Sequence, residues 1–141
     1  MVLRPEAVRQ RLLRLEEVVS RLDELKDLDV EALRGSVRDA WAAERGLQLA
    51  AEIVFDVGNH ILSGHFGVGA KDYEDILALL GAQGVIEPPL LERLTGLGGL
   101  RDLLVHDYLR PDPARVAEAL ARAPGEFTAF ATAVRHWLVS L

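Results

Sequence analysis

Apolar residues return every three or four positions along most of this chain, and that spacing allows little besides packed helices. Val8, Leu12, Leu15, Val19 and Leu22 form the first such stripe, the period at which side chains gather on one face of an α-helix. Arg9, Arg11, Arg14, Glu16, Glu17 and Glu24 fall on the rest of it, as a solvated face would. Pro5 suits a first helical turn, so this helix is expected from Pro5 to Lys26.

The same reading carries down the chain. Asp29 is an expected N-cap for a long second helix to about Leu62, burying Leu33, Val37, Trp41, Leu47, Ala50, Ala51, Val54 and Val57. Gly35, Gly46 and Gly58 mark places for a bend or a close helix contact. SGHFGVGAKDY then ends the helix: its glycines suggest a phosphate loop only superficially, because no strand precedes them. His60 and His65 lack a third ligand at useful spacing, so both read as structural. A third helix covers Lys71 to Ala82, with Tyr73, Ile76, Leu77 and Leu80 inward. Pro88 and Pro89 open a fourth, which Pro111 should end near Tyr108 or Leu109. Asp112 and Pro113 start a fifth, and a last one runs from Pro124 to Leu138 with Phe127, Phe130, Val134 and Trp137 inward.

Composition agrees. Half the residues are apolar and aromatics are few, which favours an all-α antiparallel bundle of five or six helices in a single domain over residues 1–141. Cysteine is absent, which excludes disulfides and thiolate metal sites. No signal peptide and no apolar run of about 20 residues is readable, so a cytoplasmic location is expected. The net charge of −6 argues against a wholly polyanion-binding surface but leaves room for a local basic cleft.

RDLLVHDYLRPDP, residues 101–113, departs from this pattern. Leu90, Leu94, Leu97, Leu104 and Tyr108 keep the helical seam, and Arg101 occupies a place within it. A cation there is costly unless an anion meets it. Arg101 and Tyr108 are seven residues apart and share a face, whereas His106 lies about 140° from Arg101 on a regular helix. Convergence needs an unwound last turn, long reach, or a second chain. Alternatively, Arg101 pairs with a carboxylate at a helix contact while His106 caps terminal carbonyls.

Arg101, His106 and Tyr108 form an Arg-x4-His-x-Tyr pattern, preceded by GLGGL and followed by a proline. With AERGLQLAAEIVFDVGNHIL and DYEDILALLGAQGVI upstream, residues 40 to 110 resemble the HepT toxins of the HEPN superfamily of helical ribonucleases. The resemblance implies a toxin that is a metal-independent RNA endonuclease, needs no cofactor, and works as a homodimer with motif residues of two chains lining one cleft. It also implies a partner, a minimal nucleotidyltransferase antitoxin that adenylylates the motif tyrosine. On that basis Arg101 would bind the scissile phosphate, His106 would transfer protons, and Tyr108 would accept AMP. The family commonly has Asn after the arginine; here Asp102 stands there, a carboxylate that would weaken RNA binding or orient Arg101 or His106. The residue types suit RNA cleavage, since the 2′-hydroxyl is the nucleophile, histidine titrates near neutrality and arginine offers phosphate a permanent fork of donors. Two other readings use the same residues: a non-catalytic helical subunit that docks a nucleotidyltransferase, and a scaffold dimer with a buried arginine pair.

Overall fold

The computed structural model describes residues 2–106 and 110–141, so Tyr108 lies outside the described residues. Among the described residues there are seven α-helices, one π-helical turn and no strand. They are α1 (Pro5–Leu25), α2 (Val30–Gly35), α3 (Val37–Ile61), the turn Leu62–Phe66, α4 (Tyr73–Ala82), α5 (Pro88–Leu94), α6 (Leu97–His106) and α7 (Pro113–Val139). The expected all-helical architecture holds, and several boundaries move.

α1 packs against both α3 and α7, and α4, α6 and α7 also lie on α3, which makes α3 the central post. Val8, Leu12, Leu15 and Leu22 are buried as the stripe requires, with Val18 turned in more fully than Val19. Leu47, Ala50, Ala51, Val54 and Val57 of α3 meet them, and Leu120, Phe127, Phe130 and Val134 of α7 close the core. A Cβ at Gly58 would come within 2.6 Å of Ile76, so a small residue there lets α4 lie close on α3.

The long second helix is broken at Ser36. Its backbone is extended, and its Oγ accepts from the amide of Asp39 at 3.1 Å to start α3 afresh. Asp29 caps α2 as expected, accepting from Ala32 N at 2.8 Å. Trp41 and Val37 face outward, contrary to the burial expected of them: Trp41 is 70% exposed, half a turn around α3 from the buried Ala50. Toward the C-terminus, Pro124 does not begin a new helix. α7 runs through it, because Leu120, Ala123 and Phe127 are buried on both sides of the proline and hold the axis despite the missing N–H.

SGHFGVGAKDY closes α3 as a helix-ending connection, with Gly67 left-handed at φ 65° and Val68 N donating to Leu62 O. His60 Nε2 accepts from the amide of Arg4 at 3.2 Å, and His65 stacks edge-on against Phe66 and Trp137. Both histidines thus have partners within the fold, and no three His, Asp or Glu side chains lie together among the described residues. No described helix is long and apolar enough to cross a membrane.

Candidate active site

The helix expected to run from Pro88 to Tyr108 is two helices, α5 and α6, with a corner at Thr95–Gly96. Gly96 has φ 96°, which a side chain would strain, and this turn lets α6 leave in a new direction. The amides at the start of α6 are satisfied from another helix. Glu74, in the first turn of α4, accepts from Gly98 N at 2.7 Å and from Gly96 N at 3.1 Å. An acid at a helix N-terminus is favoured by the unpaired amides and by the dipole. A Cβ at Gly98 would stand 3.0 Å from that carboxylate and 3.1 Å from Tyr73 Cβ, so the GLGGL segment serves close docking of α6 on α4.

This docking puts Arg101 over Tyr73. The guanidinium carbon is 4.7 Å from the Tyr73 ring centroid, and that ring in turn packs on Phe55 at 4.7 Å. The side chain of Arg101 is only 16% exposed. Its Nη2 lies 3.6 Å from Glu52 Oε1 on α3, and its Nη1 lies 3.4 Å from Asp102 Oδ1. Gln48 Nε2 donates to Glu52 at 3.2 Å, fixing that carboxylate along the α3 face. Arg101 Nε is buried and has no hydrogen-bond partner among the described residues.

These contacts define a guanidinium that is held but not saturated. Charge-assisted pairs usually close to about 2.7–2.9 Å, often with two parallel bonds from arginine to one carboxylate. Both carboxylate contacts of Arg101 are longer and single. A ring face beneath the cation stabilises it by about 0.5–2 kcal/mol without consuming an N–H donor. Such a cation retains donors for an incoming anion.

His106 is the last described residue of α6 and is exposed. The half-buried Arg101 and the exposed His106 thus lie on one helix but differ in outlook, as their spacing required. Asp102 is exposed, and its carboxylate reaches Arg101 at 3.4 Å. Glu52, Tyr73 and Glu74 were not singled out from the sequence as site residues. Tyr73 reads as one more inward side chain of α4. Glu52 carried no clue of its own, since its side chain is 38% exposed and a carboxylate there is ordinary.

Beyond the motif, Arg110 stands close enough to Glu44 on α3 to pull its carboxyl down, although burial, the larger influence, leaves it above the usual range. Glu44, Arg110, Arg34 and Pro111 line a small cleft against Ala40. A separate cavity of about 200 Å³ lies between the α5–α6 corner and α7. Its Arg122 is paired with Glu118 and Glu126, and neither Arg101 nor His106 lines it.

The all-helical fold thus carries, on its penultimate helix, a half-buried arginine and an exposed histidine five residues apart. The chain belongs to the HepT-like family, described as ribonuclease HepT-like, whose sequence model matches residues 15–134. It is 29% identical over 132 residues to the tRNA nuclease HepT of Aphanizomenon flos-aquae (strain 2012/KM1/D3), covering 91% of this chain and 89% of that one. In fold it is similar to the tri-AMPylated HEPN toxin of Shewanella oneidensis solved in complex with its MNT antitoxin. There the TM-score is 0.80 at 20% identity, with 92% and 96% of the two chains covered. It is also similar to YutE of Bacillus subtilis, a cytosolic protein of unknown function, with TM-score 0.81, 23% identity and coverage of 99% and 94%.

Proposed function

We propose that this protein is the toxin of a toxin–antitoxin pair, a metal-independent RNA endonuclease silenced when a nucleotidyltransferase antitoxin attaches AMP to Tyr108. The observation that carries the proposal is Arg101, held over Tyr73 between two long carboxylate contacts with donors to spare. Membership of the HepT-like ribonucleases supports the reaction, and the relative named for tRNA cleavage makes tRNA the first substrate class to try. The AMPylated toxin bound to its antitoxin supports the partner.

In this mechanism the RNA supplies its own nucleophile. The 2′-hydroxyl loses a proton and attacks the adjacent phosphorus, the bond to the 5′-oxygen breaks, and that oxygen takes a proton. The products are a 2′,3′-cyclic phosphate and a 5′-hydroxyl end. Arg101 neutralises the phosphate as charge builds on it, and His106 performs a proton transfer. Asp102 and Glu52 position Arg101. One histidine serves one transfer at a time, so a homodimer that brings two motifs to one cleft completes the acid–base pair. Its symmetry would also place a costly cation at a polar seam between chains.

The test is cleavage of RNA by the pure protein in the presence of a chelator. Arg101→Ala and His106→Ala should each lose about 100-fold or more, the scale of removing a charge-stabilising or proton-transferring group. An oligonucleotide lacking the 2′-hydroxyl at the cut should be inert. Equal activity in either variant would sink the site, and activity abolished by chelator would sink the metal-free chemistry.

A further inference from the structure

We propose that Trp41, with Arg38 and Arg45 on either side of it, is a stacking subsite for an unpaired base of the RNA substrate. The inference rests on the ribonuclease reading and adds a place where the strand is gripped away from the cut.

Trp41 is 70% exposed, while the other tryptophan, Trp137, packs against His65 and Phe66. Val37, one turn earlier on α3, is also exposed. Arg38 and Arg45 stand three residues before and four after Trp41, the spacing of neighbours on a helix surface. Neither forms an ion pair with another described side chain. By contrast, Arg9, Arg11, Arg14 and Arg21 of α1 all do. The indole is therefore bracketed by cations whose charge is not already met by a described carboxylate.

The position matters as much as the composition. Trp41, Arg45, Gln48 and Glu52 fall within a narrow sector of α3, since intervals of four, seven and eleven residues nearly complete whole turns. Glu52 is the residue that holds Arg101. At a rise of 1.5 Å per residue, Trp41 stands about 16 Å along the same face from it. Arg110, just past the motif, lies beside Glu44 on the intervening turn. One surface thus runs from the phosphate-binding candidate to the exposed indole.

A flat aromatic face flanked by cations matches single-stranded nucleic acid, which offers base faces for stacking and phosphates for the guanidinium groups. A duplex hides its base faces and fits poorly. A second copy of this chain is the competing occupant. Aromatic rings and arginines suit protein interfaces as well, but a two-fold contact centred on Trp41 would bring the Arg38 and Arg45 of two copies against like charge, whereas phosphates answer it. Charge complementarity favours RNA.

The experiment uses the full chain and a short 2′-O-methyl oligoadenylate, which has no free 2′-hydroxyl and cannot be cut. In a Trp137→Phe background, where Trp41 alone emits, titration should quench the fluorescence saturably. Trp41→Ala should weaken binding of the labelled oligonucleotide about ten-fold, the scale of one lost base–aromatic stack. Trp41→Phe should retain most of the affinity, and sedimentation should show all variants in the same oligomeric state. Oligonucleotide binding with no change in Trp41 emission overturns the inference. So does unchanged affinity in Trp41→Ala, or dissociation of an oligomer by that variant, which would mark the surface as a contact between copies. Cleavage of natural RNA is followed in parallel. If the unaltered protein cuts RNA and Trp41→Ala binds and cuts equally well, the subsite is wrong and the ribonuclease reading stands. If the unaltered protein neither binds nor cuts RNA, both fall.

Discussion

Carboxylates set the electrostatics of the α3 face, and two of them behave differently. Glu52 answers the charge of Arg101. Glu44 is pushed above its ordinary value by burial, with Arg110 only partly restoring it. A raised value means that the folded protein holds this proton more tightly than the unfolded chain does. The charged carboxylate therefore costs stability above the folded value, and the cost disappears as pH falls toward the usual 4.5. Glu44→Gln should melt at a slightly higher temperature than the parent at pH 7 to 8, with the two curves converging near pH 4. A gap that stays constant across this range would show that charge is not the cause. At this scale the sequence disclosed Arg101 and His106, because a cation inside a leucine seam and a histidine at a proline-stopped end are local anomalies. Tyr73 stayed hidden, since an aromatic at an inward position is also what a core needs. Trp41 was misread for the same reason: periodicity cannot say which of two apolar stripes a helix turns to water.

Helix ends explain where the elements departed from their expected limits. Asp29 and Asp112 were legible as caps, and both accept the backbone amides expected of them. Ser36, followed three residues later by Asp39, carries a start signal that the strong apolar period on either side concealed. The corner at Gly96 was concealed likewise by the Leu90–Leu94–Leu97 spacing, which continues across it in sequence but not in space. Its cap comes from Glu74, more than 20 residues away in the chain, and no local pattern announces a partner so remote. That cap is testable. Glu74→Ala should cost about 1–2 kcal/mol of folding stability, the upper range for losing an N-terminal cap, and Glu74→Gln about half as much. Urea unfolding reads the difference. Because Arg101 sits in the second turn of α6, RNA cleavage should drop in step with Glu74→Ala. An alanine variant of parental stability would mean that the α6 start is held by packing alone.

For the whole molecule the helical class was fully readable, since no stretch alternates like a strand and the apolar stripes suffice to build one core. Assembly and regulation involve chemistry that reaches beyond one chain. An AMP group on Tyr108 would bring a phosphodiester charge and a nucleoside onto the residue two places after His106, giving Arg101 an internal anion and filling the space RNA needs. Incubation with the partner nucleotidyltransferase and ATP should add AMP units to the intact mass of the normal protein and none to Tyr108→Phe. The Phe variant should keep much of its nuclease activity and resist silencing. Equal modification of the variant, or undiminished cleavage by the modified protein, would refute this role.

The π-helical turn at the end of α3 has a different consequence. Leu3 N donates to Gly64 O, Arg4 N donates to His60, and Trp137 stacks on His65 from the opposite terminus. Arg135 and Glu16 pair a little farther along, bridging the first and last helices. Terminal segments ordinarily fray separately and at little cost. Here both are fastened around the end of α3, the first through His60 and Gly64 and the last through His65 and Phe66. Since α1 and α7 also pack directly on each other, amide exchange in the first and last helices should slow and quicken together when either is perturbed, and independent exchange would refute the coupling.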